Sequence, residues 1–239
     1  GGFTTGAIDW NRYRHNSGSS YEFIWNGTPY DSFANWKSGG AVSKDANSIL
    51  STVALGLITS APSVTSPATD FALTSTSPAR DTGDSAAVPF VPALGERDYA
   101  GQSRVANSRV DIGADEYMTS WQSWRDLYFG LPDGGTGANA LDDADADKAV
   151  NLLEYSQGMN PVAADTALLP YASIVNGNYR IYYRKAAPEL TYSVEQSASP
   201  TGGWVTLNNA EGSNGSGLYW RELPLSAARS FLRAVVTQP

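Results

Sequence analysis

Apolar and polar residues alternate with period two in short runs broken by turn residues, the pattern of half-buried strands. Ala7-Ile8-Asp9-Trp10-Asn11-Arg12-Tyr13 alternates in this way, and so does Tyr21-Glu22-Phe23-Ile24-Trp25 ahead of an Asn26-Gly27 turn. Asp31 to Lys37 predicts a short helix, capped by Asp31 or Ser32, with Phe33 and Trp36 three apart on one face. Residues 51–69 carry no charge and are rich in Ser, Thr, Ala and Pro, so they predict loop around one short strand at Val53–Ile58. Asp70–Leu73 predicts another strand. The stretch Ser77–Gly83 must then turn, because Pro78 restricts Ser77 and Gly83 permits a positive φ.

A change of period follows. Ser120 is placed to cap a helix in which Trp121, Trp124, Leu127 and Tyr128 share a face and Gly130 is the stop. After the Gly-rich stretch 131–140, Lys148–Gln157 predicts a second helix, with Val150, Leu152, Leu153 and Tyr155 on its apolar side and Gly158 as its end. From about residue 171 the pattern is purely β. Five strands are predicted, at Tyr179–Arg184, Leu190–Glu195, Gly203–Leu207, Leu218–Glu222 and Phe231–Val236, with turns at Asn208-Asn209 and Asn214-Gly215.

Composition narrows the chemistry. Among 239 residues there is no cysteine and one histidine, His15. A disulfide scaffold, a thiolate nucleophile, a Cys-ligated zinc site and any poly-His centre are therefore excluded. The formal net charge of −8 disfavours nucleic acid as a partner. It favours solubility or hard cations instead. No run of 18 uncharged apolar residues is present, so no membrane span is predicted, and a monomer is expected. The start at Gly1-Gly2-Phe3 reads as the processed or truncated end of something longer. No nucleophile elbow, P-loop or dinucleotide fingerprint occurs, and His15 has no evident partner, so no catalytic residue is assigned.

Two other groups of residues invite a functional reading. Arg80, Asp81, Arg97, Asp98, Arg104, Asp111, Asp115 and Glu116 form either a groove for an acidic sugar or an ion-pair network closing the end of a fold; the network is the favoured reading. The tryptophans Trp10, Trp25, Trp36, Trp121 and Trp124, and the aromatic residues of the C-terminal strands, are either core or a sugar-stacking platform, with core the commoner role.

Several spaced motifs agree in order with a known group. They are Asp9–Tyr13, Phe23–Gly27, Ser32–Lys37, Asp70–Leu73, Ser77–Gly83, Arg97–Arg104 and Asp111–Tyr117. Over residues 1–117 the chain resembles the C-terminal end of secreted bacterial right-handed parallel β-helix proteins, the choice-of-anchor Q group related to polysaccharide lyases. Asp143-Ala144-Asp145-Ala146-Asp147-Lys148-Ala149-Val150-Asn151-Leu152-Leu153-Glu154, with Gly158, Asn160 and Pro161, resembles a dockerin-like or thrombospondin-type-3-like calcium loop. The resemblance implies a mainly β chain in three parts. Residues 1–117 are the terminal coils of a β-helix, 118–164 a short helical linker with a calcium loop, and 165–239 a small antiparallel β-sandwich. It further implies a secreted or surface location, a polysaccharide or cell-surface glycan as partner, and no catalysis by this segment, whose parent is a lyase or a binder. The alternative is a surface structural or adhesive module without sugar chemistry.

Within that loop the ligand pattern is explicit. Calcium takes six to eight oxygens, supplied from alternate positions of a 12-residue loop and a final bidentate carboxylate. Asp143, Asp145 and Asp147 fall at positions one, three and five, Ala149 offers its carbonyl at seven, Asn151 sits at nine and Glu154 at twelve. Lys148 replaces the glycine usual at position six, where a side chain in the left-handed region costs roughly 1 kcal/mol. The competing reading is a solvated acidic face with Lys148 as its counter-ion. The expected role of the ion is structural, ordering the linker between the β-helix and the sandwich.

Overall fold

A computed structural model describes residues 12–14, 23–25, 28–38, 49–51, 57, 72–83, 97–225 and 230–238. The chain is mainly β, with two antiparallel sheets and few helices, and it divides into two compact units, Gly1–Asp126 and Leu127–Pro239. Among the described residues no helix is long and apolar enough to cross a membrane.

The first unit opens with β1 (Arg12–Arg14), β2 (Phe23–Trp25), β3 (Thr28–Tyr30), α1 (Phe33–Ser38) and β4 (Ile49–Ser51). β1 pairs in parallel with β4, Arg12 opposite Ile49. β2 and β3 are antiparallel with Trp25 opposite Thr28, the register that a two-residue hairpin connection requires. Ser32 is the cap of α1: its Oγ accepts the Asn35 N–H at 3.1 Å, while Asp31 accepts from the Asn35 side chain. Trp36 is buried, with Tyr30 edge-on to it at 5.7 Å. The strands predicted at Ala7–Tyr13, Val53–Ile58 and Asp70–Leu73 lie largely outside the described residues; the parts of them that are described hold β1 and the bridge Leu57–Leu73.

Residues 72–83 and 97–119 contain isolated bridges rather than ladders, so their backbone polar groups need other partners. Buried carboxylates supply them. Asp98 accepts from the N–H groups of Gln102 and Glu116, Asp111 from those of Asp81 and Tyr117, Asp115 from Leu73 and Glu116 from Asp111. Among the described residues these acids are bonded to amides rather than joined in the expected ion-pair network, and of the arginines expected in that network only Arg97 is ion-paired, to Asp126. Arg80 instead stacks on Tyr117 at 4.0 Å, and Arg104 donates to the Asp111 carbonyl. Gly83 departs from expectation as well. The positive φ belongs to Asp81 (53°), and glycine is needed at 83 because a Cβ there would stand 2.7 Å from the Val110 carbonyl oxygen.

Burial raises the pKa of Asp111 and Asp115 and pushes Glu116 up to about 8, with the neighbouring Asp111 charge adding to the effect on Glu116. A carboxyl group raised on folding stabilises the fold fully below its unfolded pKa and ceases to do so as pH rises through the folded value. The melting temperature is therefore expected to fall as pH rises from about 4.5 to about 8, and Glu116→Gln is expected to flatten that slope in calorimetric melts across the range.

The predicted helix at Ser120 is present as α2 (Ser120–Phe129), but Thr119 caps it. Gln122 N–H donates to Thr119 Oγ1, and Thr119 N–H donates to Gln122 Oε1, a reciprocal capping box. The buried face of α2 is polar. Gln122 and Asp126 are buried, whereas the predicted apolar face leaves Leu127 75% exposed and stacks Trp121 on Trp124 at 5.0 Å. Burial of Asp126 is offset by the bonds it accepts, from Arg97 at 2.7 Å and from both the N–H and the hydroxyl of Ser103.

The second unit carries α3 (Asn151–Gln157) and then β5 (Tyr171–Val175), β6 (Asn178–Arg184), β7 (Thr191–Ser197), β8 (Val205–Thr206), β9 (Gly212–Ser213), β10 (Leu218–Pro224) and β11 (Phe231–Thr237). One antiparallel sheet has the order β5-β6-β10-β9 and the other β11-β7-β8. Ile181 and Tyr183 of β6, Val194 of β7 and Leu207 form one buried cluster, flanked by Tyr192, Tyr219, Leu223, Leu232 and Ala234. All five predicted strands are present within a few residues. The additional β5 is joined to β6 through Asn176 (φ 52°) and Gly177 (φ 77°), a left-handed pair suited to a two-residue hairpin.

Candidate metal centre

The loop 143–154 lies in the second unit. Its shape comes from aspartates that bond to the backbone just ahead of them, the habit that makes Asp a turn former. Asp143 Oδ2 accepts the Lys148 N–H at 3.0 Å, Asp145 Oδ1 the Asp147 N–H at 3.1 Å, and Asp147 Oδ1 the Ala149 N–H at 2.8 Å. Two residues take left-handed backbone, Ala146 (φ 64°) and Lys148 (φ 79°). Lys148 thus adopts the conformation that the position demands without being glycine, and its side chain is exposed. The apolar period places Lys148 inside α3. The helix starts three residues later, because a left-handed residue cannot belong to a right-handed helix and Val150 precedes it in extended conformation.

These turns bring one carboxylate oxygen from each of Asp143, Asp145 and Asp147 within 4.8 Å of one another. Glu154 does not join that group at this distance, but its surroundings are informative. It is fully buried, both of its oxygens lack a hydrogen-bond partner, and its pKa is pushed up to about 7. Burial is the largest cause, followed by the charges of Asp145, Asp147, Asp143 and Asp165. Asn151 is also fully buried. Its Nδ2 donates to the Gly137 and Asn139 carbonyls, which leaves Oδ1 without a donor. Four buried side-chain oxygens without a hydrogen-bond partner belong to Asp145, Asn151 and Glu154. Orphaned oxygens concentrated in one loop suit a cation ligand set, since lone pairs that accept no proton are free to meet a metal. Ala149, expected to contribute its carbonyl, is buried beside them.

The sequence pattern does not single out Asp165. Its N–H donates to Asp147 Oδ2 at 3.2 Å, its side chain caps the 3-10 turn Thr166–Leu168, and its charge is among those acting on Glu154. The available signal is an Asp followed by Thr four residues after Pro161, which reads as a turn cap and nothing more.

The donor set is all oxygen and strongly anionic, which fits calcium by chemistry; it contains none of the nitrogen and sulfur ligands that transition metals favour. His15 and Trp10 belong to the sequence-based expectations whose side chains lie outside the described residues. No family model, curated protein or solved structure matches the chain.

Proposed function

We propose that the chain is a non-catalytic β module braced by one structural calcium ion, the C-terminal portion of a secreted polysaccharide-degrading or polysaccharide-binding β-helix protein. The observation that carries the reading is Glu154, fully buried with both oxygens unpartnered and facing the charges of three converging aspartates. A bare carboxylate in that position is destabilising, and a divalent cation would remove the penalty. Asp143, Asp145, Asp147, Asn151 and Glu154, with the Ala149 carbonyl, would hold it. The strained, cationic Lys148 at the tight turn weakens the site, which suits the roughly 10⁻⁴–10⁻³ M affinities of extracellular calcium modules. The parallel pairing of β1 with β4 supports the β-helix reading of the first unit. A single apolar cluster fed by both antiparallel sheets supports the sandwich reading of the second.

Calorimetric melts of the chain in millimolar calcium and in EGTA test this reading. A transition higher in calcium is expected, together with no unsaturated product from uronate polysaccharides. Coincident transitions would argue for the solvated acidic face.

A second reading, a surface structural or adhesive module without sugar chemistry, is favoured by how the sheet aromatics are used. Tyr182 stacks on Tyr171 at 4.8 Å and contacts Trp220, Arg180 sits over Trp220, and Arg233 sits over Trp204. Retardation of the chain in gels containing glycan supports the first reading, and unaltered migration supports the second.

A further inference from the structure

The three residues after Glu154 are each tied to β6, to β7 or to the connection between them. Tyr155 donates through its hydroxyl to Glu189. The Ser156 carbonyl accepts from the Ala186 N–H at 3.0 Å and from the Tyr192 hydroxyl at 3.1 Å. Gln157 behaves like a short piece of strand: Arg184 N–H donates to its Oε1 at 2.8 Å, and its Nε2 donates back to the Arg184 carbonyl at 3.3 Å. The Tyr192 hydroxyl also accepts from the Ala187 N–H and donates to the Ala187 carbonyl. One turn of helix therefore joins the candidate ligand Glu154 to the end of β6 and the start of β7, which lie in different sheets.

α3 is only seven residues long, too short to be stable by itself, so its order depends on what holds its two ends. Its first turn has Asn151 and Glu154 buried at the ion site, and its last turn has Ser156 and Gln157 buried against the β6–β7 connection. We infer that α3 is a strut through which occupancy of the loop sets the local stability of the β6–β7 connection, residues 184–192, and so couples the ion to both sheets. The inference rests on the calcium reading above. Without the ion, repulsion among Glu154 and the aspartates loosens the first turn; a loosened α3 withdraws the Gln157 and Ser156 partners from Arg184 and Ala186.

Amide hydrogen exchange, read together with calcium binding by calorimetry on the same samples, tests the strut. In the wild-type chain, calcium is expected to slow exchange at the amides of Arg184, Ala186 and Ala187 by about tenfold or more relative to EGTA. Gln157→Ala is expected to bind calcium within a few-fold of wild type yet to lose most of that slowing at Arg184. Should Gln157→Ala not fold, Tyr192→Phe keeps the ring, removes only the hydroxyl, and is expected to lose the slowing at Ala187. If the wild-type chain binds calcium but these amides exchange at one rate in both conditions, or if the variants keep the full slowing, the strut is overturned. Absence of calcium binding in the wild-type chain overturns the ion reading itself, and the strut falls with it.

Discussion

Replacing Glu154 with glutamine is expected to abolish the calcium-dependent rise in melting temperature while raising the melting temperature in chelator. The two signs have one cause. On the calcium reading the buried carboxylate would close the ligand set, and it is also repelled by the charges of the loop aspartates. Calcium at about 100 times its Kd stabilises a folded site by about 2.7 kcal/mol, worth about 10 °C for a unit of this size. The neutral amide loses most of that gain. In EGTA the same change removes repulsion with Asp143, Asp145, Asp147 and Asp165, a gain on the order of 1 kcal/mol. If the solvated-face reading were right, glutamine would change neither condition appreciably. Calorimetric melts of both proteins in both buffers decide between the two.

The second large effect is expected in the first unit. Asp111→Ala removes the acceptor of two N–H groups, Asp81 at 2.5 Å and Tyr117 at 2.7 Å, in a segment with no ladder to take them up. A buried amide left without a partner costs about 1–3 kcal/mol, and since both of these are only part-buried a loss toward the low end for each, about 2–4 kcal/mol in all, is expected in denaturant unfolding. Arg104→Ala, which removes one long bond of 3.3 Å to the Asp111 carbonyl, is expected to cost under about 1 kcal/mol. An ion-pair network would make the two losses comparable, so equal effects would contradict the assignment of these acids to backbone amides.

These two sites also mark where the sequence is readable. In the loop, the spacing anticipates that Asp143, Asp145 and Asp147 lie close together and that a left-handed residue falls at 148, because both follow from counting along the backbone. The strands after residue 178 are legible for a similar reason: period two survives any tertiary arrangement that buries one face. Helical faces are less legible. In α2 and α3 the buried residues are Gln122, Asp126, Asn151, Glu154, Tyr155, Ser156 and Gln157, and of these a hydrophobic period registers only Tyr155. Polar burial depends on partners distant in sequence, such as Ser103 for Asp126 or Gly137 for Asn151, which local pattern does not reveal. Asp165 is hidden for the same reason, since it meets the loop 18 residues from Asp147. The strand Tyr171–Val175 is different: Asn176-Gly177, a left-handed turn signal lying between two β-prone runs, marks it in the sequence.

All of this turns on whether the oxygens of Asp143, Asp145, Asp147, Asn151 and Glu154 serve one divalent ion. Isothermal titration of the full chain with calcium, and separately with magnesium, is the decisive measurement. A shared ion requires a single site per chain with submillimolar to millimolar affinity for calcium, weaker binding of magnesium, and loss of the site in Glu154→Gln. A titration showing only the heat of dilution, or calcium binding unchanged in Glu154→Gln, would mean that these oxygens hold no ion in common.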